Sequence, residues 1–268
     1  MKVLNGLELA GFIKERQAHE VRSLRQGAHV TPKLAIVVTI EHPAIEVYMR
    51  MKERYGADLL VDVDVHRVAQ AEVPALIKQL NADDSVHGII VQLPLEDPSQ
   101  TEAIVDLVTP AKDVDALGKD ATLDPATPMA ILWLLAGYNV DLAGKKIVLV
   151  GRGKLVGAPL ERIFRASGYD VAVVDRKTPD VPAVVSSADV IITATGMPGL
   201  VNSAMIKEGA VVVDAGVAGE QGKTVGDLAD DVYERQDLTI TPRKGGVGPL
   251  TICALFENVI RAARTGAQ

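Results

Sequence analysis

The sequence predicts an α/β protein of two α/β domains, the second a Rossmann-like doubly wound parallel sheet. Three observations predict it. Short runs of Val, Ile and Leu alternate with helical patterns along the chain. Several of those runs are unbroken by polar residues, as strands covered on both faces are. A glycine-rich turn, "VGRGKLVGAP" at 150–159, joins one run to an apolar helical segment. The chain has 268 residues, 48% of them hydrophobic, which is enough for two domains of ordinary size. Only 3% are aromatic, so Val, Ile, Leu and Ala must fill the cores.

Asn5 followed by Glu8 has the spacing of a capping box, and Leu7, Phe12 and Ile13 begin an apolar stripe, so the chain opens with an amphipathic helix. "LAIVVTI" (34–40) reads as a buried strand. "AIEVYMRMKERYG" then reads as a helix closed by Gly56. "LLVDVDVHRV" alternates Val61, Val63 and Val65 with Asp62 and Asp64, the pattern of a strand with one wet face. A helix over 71–81 follows, then the strand "GIIVQL" (88–93) stopped by Pro94, and a helical "SQTEAIVDLV". "DVDALGKDATLDPATP" has no apolar period and carries Pro125 and Pro128, so it reads as the connection between domains. Beyond it, "MAILWLLAG" is helical, with Trp133 expected in the core. The alternation then resumes through "IVLV", "APLERIFRAS", "DVAVVD", "VPAVVSSA", "DVIITATG", "AVVVDAG" and "LTITP". After the loop "RKGGVGPLT" a last helix, "ICALFENVIRAA", closes the chain.

Composition excludes several function classes. A net charge of -7 gives no basic footprint for nucleic acid. Cys253 is the only cysteine, so neither an intrachain disulfide nor a cysteine-built metal site is expected, and a reducing, cytoplasmic setting is the default. The five histidines lack metal-ligand spacing, and no metal is expected. No stretch approaches the about 18 consecutive apolar residues of a membrane span, and Glu8 and Lys14 interrupt any signal-like run at the start.

In an open parallel sheet ligands bind beyond the carboxyl ends of the strands. Four features fall at such ends: the glycine turn, "DRKT" (175–178), "ATGMPG" (194–199) and "DAG" (214–216). Gly151, Gly153 and Gly157 are spaced G-x-G-x-x-x-G, one residue longer than the dinucleotide fingerprint. The turn alone fits either a tight strand-to-helix connection or a cradle in which backbone N–H groups face a pyrophosphate. In the first half Tyr48 and Lys52 stand four apart on one helix face. A ring packed on the surface beside a solvated lysine would give the same pattern. Gln92 ends a buried strand and Asp115 lies in "KDVDA"; each suits a loop cap, or the amide and amino edge of a pterin.

Taken together, "VYMRMK", "GIIVQLPL", "KDVD", "TP" at 127–128, "VGRGKLVGAP" and "TPRKGGVGPLT" resemble, in order and spacing, the bifunctional methylenetetrahydrofolate dehydrogenase/cyclohydrolase family, over essentially the whole chain. The resemblance implies two α/β domains with a cleft between them: a folate-binding catalytic domain over 1–120, completed by a C-terminal helix at 249–268, and a dinucleotide-binding domain over 121–248. It implies a homodimer acting on tetrahydrofolate derivatives, with no nucleic-acid or membrane partner. The activities implied are oxidation of 5,10-methylenetetrahydrofolate with a nicotinamide cofactor and hydrolysis of the methenyl product to 10-formyltetrahydrofolate. A dehydrogenase that has lost hydrolysis, or a non-catalytic folate binder, is the alternative.

By position, the resemblance implies that Tyr48 stacks on the folate, Lys52 is catalytic, Gln92 orients it, and Asp115 grips the pterin and belongs to the catalytic set. Gly245, Gly248, Pro249 and Thr251 complete the substrate site. Gly151, Arg152, Gly153, Gly157, Arg176, Thr195, Gly196 and Gly216 bind the cofactor. The family writes its turn G-R-S-x-x-V-G-x-P, which accounts for the extra residue and leaves Gly153 in place of a serine. Other departures are a short segment between "DVDA" and "TP", Ile45 for a serine, Ala126 for a cysteine, and Arg243 and Lys244 for a Val-Pro pair. Asp175 ends the second strand about 20 residues beyond the turn, where an acid selects NAD. Arg152 and Arg176 suit a 2'-phosphate. Arg176 holds the phosphate-facing position by resemblance, so NADP is expected over NAD.

Overall fold

The computed structural model describes residues 1–220 and 223–266. The chain divides into two compact units, one of Met1–Ala10 with Thr127–Thr251 and one of Gly11–Ala126 with Ile252–Gln268. The expected boundaries at 120 and 248 thus move to 126 and 251. The first ten residues depart further from expectation, because they join the later unit. Residues 267 and 268 of the expected closing segment lie outside the described residues.

In the three-stranded unit, strands β2 (Lys33–Val38), β3 (Asp62–Arg67) and β4 (Gly88–Val91) lie in the order β3-β2-β4, all parallel. Helix α2 (Pro43–Leu59) crosses from β2 to β3, and α3 (Val73–Ala82) crosses from β3 to β4. One sheet face packs Ala35, Val37, Ile89 and Val91 against Val73, Ile77 and Leu80. Five residues at 101–105 form α4 (Thr101–Val105), far fewer than the helix expected there.

The six-stranded unit has the order β1-β11-β8-β7-β5-β6, again all parallel. Its main strands are β5 (Lys146–Val150), β6 (Asp170–Val174), β7 (Val190–Thr193), β8 (Val211–Asp214) and β11 (Thr239–Ile240), with α6 (Gly157–Ala166) and α7 (Val181–Ser186) among the crossovers. This is the doubly wound sheet that the alternation predicts. Two parts were not legible in the sequence. Lys2–Val3 forms the edge strand β1, held by the Lys2 and Leu4 N–H groups on the carbonyls of Leu238 (2.9 Å) and Ile240 (2.8 Å). A hairpin of β9 (Ala218–Glu220) and β10 (Lys223–Val225) stands outside the main sheet. Val148, Val150, Ile191, Val212 and Ile240 belong to the core of the six-stranded sheet.

Helix α1 (Gly6–Ser23) starts where expected, with Asn5 Oδ1 accepting the Glu8 N–H at 3.2 Å. Helices α5 (Ala126–Gly137) and α8 (Val247–Gly266) match the two later helical readings, although Trp133 is only half-buried while Ile131, Leu134 and Leu135 fill the core. Among the described residues no helix is long and apolar enough to cross a membrane.

Gly56 does not close α2. The helix continues to Leu59 and ends on Leu60, whose φ of 61° supplies the left-handed turn. Gly56 instead lets the helix approach β3: a Cβ there would sit 2.4 Å from Val63 Cγ2 and 3.3 Å from Phe256 Cε1. Alanine would gain up to about 1 kcal/mol of helix propensity but overpack a contact that costs about 1–3 kcal/mol to relieve. Gly56→Ala is therefore expected to lower the melting temperature by several degrees, as checked by thermal unfolding; an unchanged or raised midpoint would contradict the packing role.

Candidate active site

In the three-stranded unit the strand order reverses about β2, so a crevice is expected beyond the carboxyl ends of β2 and β4. Gln92 stands at that end of β4, fixed by its N–H on the Val37 carbonyl at 2.9 Å. Its side chain is held at both ends. Nε2 donates to the Leu93 carbonyl at 3.0 Å, and Oε1 accepts from Lys52 Nζ at 2.8 Å. Lys52 comes from α2, one turn beyond Tyr48, as the i, i+4 spacing requires. Burial pushes the Lys52 ammonium below the ordinary lysine range, and the charge of Asp115 opposes that shift. Asp115 shows the converse: burial raises its pKa and Lys52 draws it down. Burial also raises the Tyr48 phenol. The structure thus brings Lys52, Gln92 and Asp115 together, with Tyr48 on the same helix as Lys52.

What holds Asp115 was only partly legible. The first aspartate of "KDVD", Asp113, is 4% exposed, and its carboxylate accepts the N–H groups of Gly118 (2.8 Å) and Leu117 (3.4 Å). Asn258 of α8 donates from Nδ2 to the carbonyls of Val114 (2.9 Å) and Asp124 (2.7 Å), tying down both ends of the short segment. A buried amide inside an apolar helical stripe was the available signal for Asn258, since such a group must find partners.

In the six-stranded unit the order reverses between β5 and its neighbours β6 and β7, and the glycine turn follows β5. Gly151 has a φ of 108°, and a Cβ there would lie 2.6 Å from the Ala194 carbonyl oxygen. At Gly157 it would lie 2.1 Å from the Gly151 oxygen. These two positions require glycine. Gly153 does not: its φ is not left-handed, and a Cβ would meet nothing within 4 Å. Arg152 donates from Nε to Glu161 Oε2 at 2.8 Å, and Arg165 donates to the same carboxylate at 3.0 Å. Although partial burial works to raise it, Glu161 is held below the usual carboxylate range by these two arginines.

After β6, Asp175 Oδ1 accepts the Lys177 N–H at 2.8 Å and the Thr178 hydroxyl at 3.5 Å, so the acid closes its own turn. Arg176 beside it is exposed, with no carboxylate partner among the described residues. After β7, Thr195 and Gly196 (φ 66°) lie in a loop whose N–H groups are taken by Asp227. Gly216 follows β8. Asp227 and Glu161 were missed because neither stands in a motif. Gly245 (φ 79°), Gly248, Pro249 and Thr251 also belong to this unit, the last three in the first turns of α8, where proline is tolerated. Arg243 stacks on the Tyr233 ring at 4.2 Å and pairs with Asp230, so it is not a free cation. Among the described residues no group of three His, Cys, Asp or Glu is placed to hold a metal ion.

Comparison with known proteins gives these two sites a family. Residues 4–115 match the tetrahydrofolate dehydrogenase/cyclohydrolase catalytic domain, and residues 125–267 match the NAD(P)-binding domain of the same family. The bifunctional protein FolD 2 of Geobacter metallireducens is 38% identical over 98% of this chain and 96% of its own. The chain belongs to the tetrahydrofolate dehydrogenase/cyclohydrolase family. Among solved members, the bifunctional FolD of Campylobacter jejuni superposes with a TM-score of 0.92 at 35% identity, covering 99% of each chain. The Trypanosoma brucei enzyme, solved with NADP and an inhibitor, gives 0.91 at 29% identity over 98% of this chain and 97% of its own.

The glycine geometry yields a contrast between neighbouring positions. Gly153→Ser is expected to leave stability within about 0.5 kcal/mol, whereas Gly157→Ala forces the turn off its helix and is expected to cost about 1–3 kcal/mol or more. Denaturant midpoints of the two variants check this, and equal midpoints would contradict it.

Proposed function

We propose that this protein oxidises 5,10-methylenetetrahydrofolate to the methenyl compound with NADP and hydrolyses that product to 10-formyltetrahydrofolate. The observation that carries the chemical reading is the Lys52–Gln92 hydrogen bond in a site that depresses the lysine pKa. Family membership supports the same pair of activities.

Residues of the six-stranded unit fit a dinucleotide. Gly151 and Gly157 let the turn pack closely against the loop after β7 and against its own helix, and Gly153 leaves its backbone accessible. These residues, with Arg152, Thr195, Gly196 and Gly216, would hold the pyrophosphate and nicotinamide portions. NADP, when bound, supplies the hydride acceptor. The preference for NADP rests on the turn after β6. Asp175 spends its carboxylate on the Lys177 N–H and Thr178 hydroxyl, while Arg176 is left to meet a 2'-phosphate.

The hydrolytic step is derived from the three-stranded unit. Neutral Lys52 takes a proton from water as its oxygen bonds to the methenyl carbon. The lysine then delivers that proton to N5 as the C–N5 bond breaks, and the added hydroxyl loses its own proton to solvent as the formyl carbonyl forms. Gln92 is an apt partner because its carbonyl accepts one Nζ–H in either protonation state without adding a charge that would raise the lysine pKa. Asp115 accepts from the amide and amino edge of the pterin, and Tyr48 offers its ring as a stacking surface. Gly245, Gly248, Pro249 and Thr251 line the remaining substrate contacts in this reading. A homodimer in a reducing, cytoplasmic setting is part of the same proposal, and light scattering tests the dimer.

Two outcomes test the assignment. Lys52→Gln keeps a polar tip but cannot exchange a proton, so methenyl hydrolysis should fall about 10²–10⁴-fold, with hydride transfer falling less. In the parent, hydrolysis should rise with pH as the depressed Lys52 ammonium loses its proton, since the neutral amine is the active form. Methenyl absorbance and reduced cofactor are followed separately; undiminished hydrolysis by the variant sinks the role of Lys52. For the cofactor, Arg176→Ala should reduce kcat/KM with NADP by about tenfold, the value of one charged hydrogen bond to phosphate, and leave kcat/KM with NAD nearly unchanged. An equal loss with both would remove Arg176 from 2'-phosphate recognition.

A further inference from the structure

The loop after β7 stands beside the glycine turn, so close that a Cβ on Gly151 would lie 2.6 Å from the Ala194 oxygen. Within the loop the Thr195 hydroxyl accepts the Met197 N–H at 3.1 Å. The loop's main chain is also fixed from elsewhere in the unit. Asp227, fully buried, accepts the Thr195 N–H on Oδ2 at 2.6 Å and the Met197 N–H on Oδ1 at 2.9 Å. The carboxylate reaches this place only because residue 216 lacks a side chain: a Cβ on Gly216 would lie 2.2 Å from Asp227 Oδ1. The reverse contact holds Asp227 itself. Asp214, at the end of β8, accepts the N–H groups of Gly216 (2.9 Å), Asp227 (3.1 Å) and Leu228 (3.2 Å) and the Thr193 hydroxyl (3.0 Å). It fits there only because Gly226 has no side chain, since a Cβ would lie 2.0 Å from its Oδ2. Each carboxylate thus occupies the side-chain space of the glycine next to the other.

This arrangement has a feature that simple packing does not require. Two carboxylates close to one another in a buried site repel, and burial with the charge of Asp214 raises the Asp227 pKa even as the Thr195 and Met197 N–H groups lower it. An apolar filler would avoid that cost, but it could not bind two backbone N–H groups two residues apart. We propose that Asp227 is the positioning residue of the nucleotide loop: through Thr195 and Met197 it sets the main chain against which the dinucleotide binds, without touching the dinucleotide itself. The proposal rests on the dinucleotide assignment above and adds to it a residue outside every binding motif.

Asp227→Asn in the full chain tests it, because the amide keeps one acceptor and turns a donor toward the other N–H. Three quantities are measured. In the ligand-free protein, amide exchange at Thr195 and Met197 should accelerate by about tenfold or more, and the equilibrium Kd for NADPH, read by its fluorescence, should rise by about tenfold, as expected for one lost buried hydrogen bond to a charged group. Methenyl hydrolysis, which uses no nicotinamide, should stay within about threefold of the parent and reports that the chain is folded. Faster exchange with an unchanged Kd would make Asp227 a structural residue and overturn the proposal, as would unchanged exchange. If the variant does not fold, Gly216→Ala displaces the same carboxylate by its methyl group, and an unchanged NADPH Kd there also overturns the proposal. A parent that binds no NADPH while its Thr195 and Met197 amides are protected through Asp227 sinks the dinucleotide assignment instead.

Discussion

Parallel strands cannot be joined by a tight turn, and this constraint arranges both units. Each strand must return through a crossover, so every carboxyl end faces the same edge of its sheet. Where the order reverses, neighbouring crossovers leave to opposite sides and a crevice remains. In the three-stranded unit that edge receives Gln92 from β4 and Lys52 from the helix after β2. In the six-stranded unit it receives the glycine turn, the loop after β7 and Gly216. Chemistry-bearing side chains distant in sequence are therefore gathered by topology before any specific contact forms. The Lys52–Gln92 pair, 40 residues apart, is one result.

Legibility in the sequence follows the range of the interactions involved. Strands such as β2, β4, β5 and β7 were readable because burial on both faces demands an uninterrupted apolar run. The cap at Asn5 was readable because its partner is three residues away. Gly56 was misread for the opposite reason. A glycine near the end of an apolar stripe has the local form of a helix cap, but the contact that requires it comes from Val63 and Phe256. The two-residue strand β1 had no local signal at all, since it exists only through hydrogen bonds to residues 238 and 240. Among site residues, those given a role by the resemblance were found, while Asp113, although inside "KDVD", and Glu161, Asp227 and Asn258 were passed over. Asp227 and Asn258 act by satisfying polar groups of distant segments, a demand visible only once the segments are together, whereas the partners of Asp113 and Glu161 lie within nine residues and take their geometry from the local turn and helix.

The same distinction separates the charged residues of the two sites. Lys52 has an uncharged hydrogen-bond partner and a carboxylate that acts on it by its field. Had Gln92 been a glutamate, a direct ion pair would favour the ammonium and work against the effect of burial. A glutamine gives the same geometry and leaves burial to win. Arg152 has the other arrangement. Glu161 takes its Nε and is itself shared with Arg165, so the charge of the pair is partly balanced and the guanidinium is held in one direction. In one unit the direct hydrogen-bond partner of the buried cation is uncharged and the carboxylate acts on it only by its field. In the other the protein supplies a countercharge so that a permanent cation holds a fixed direction.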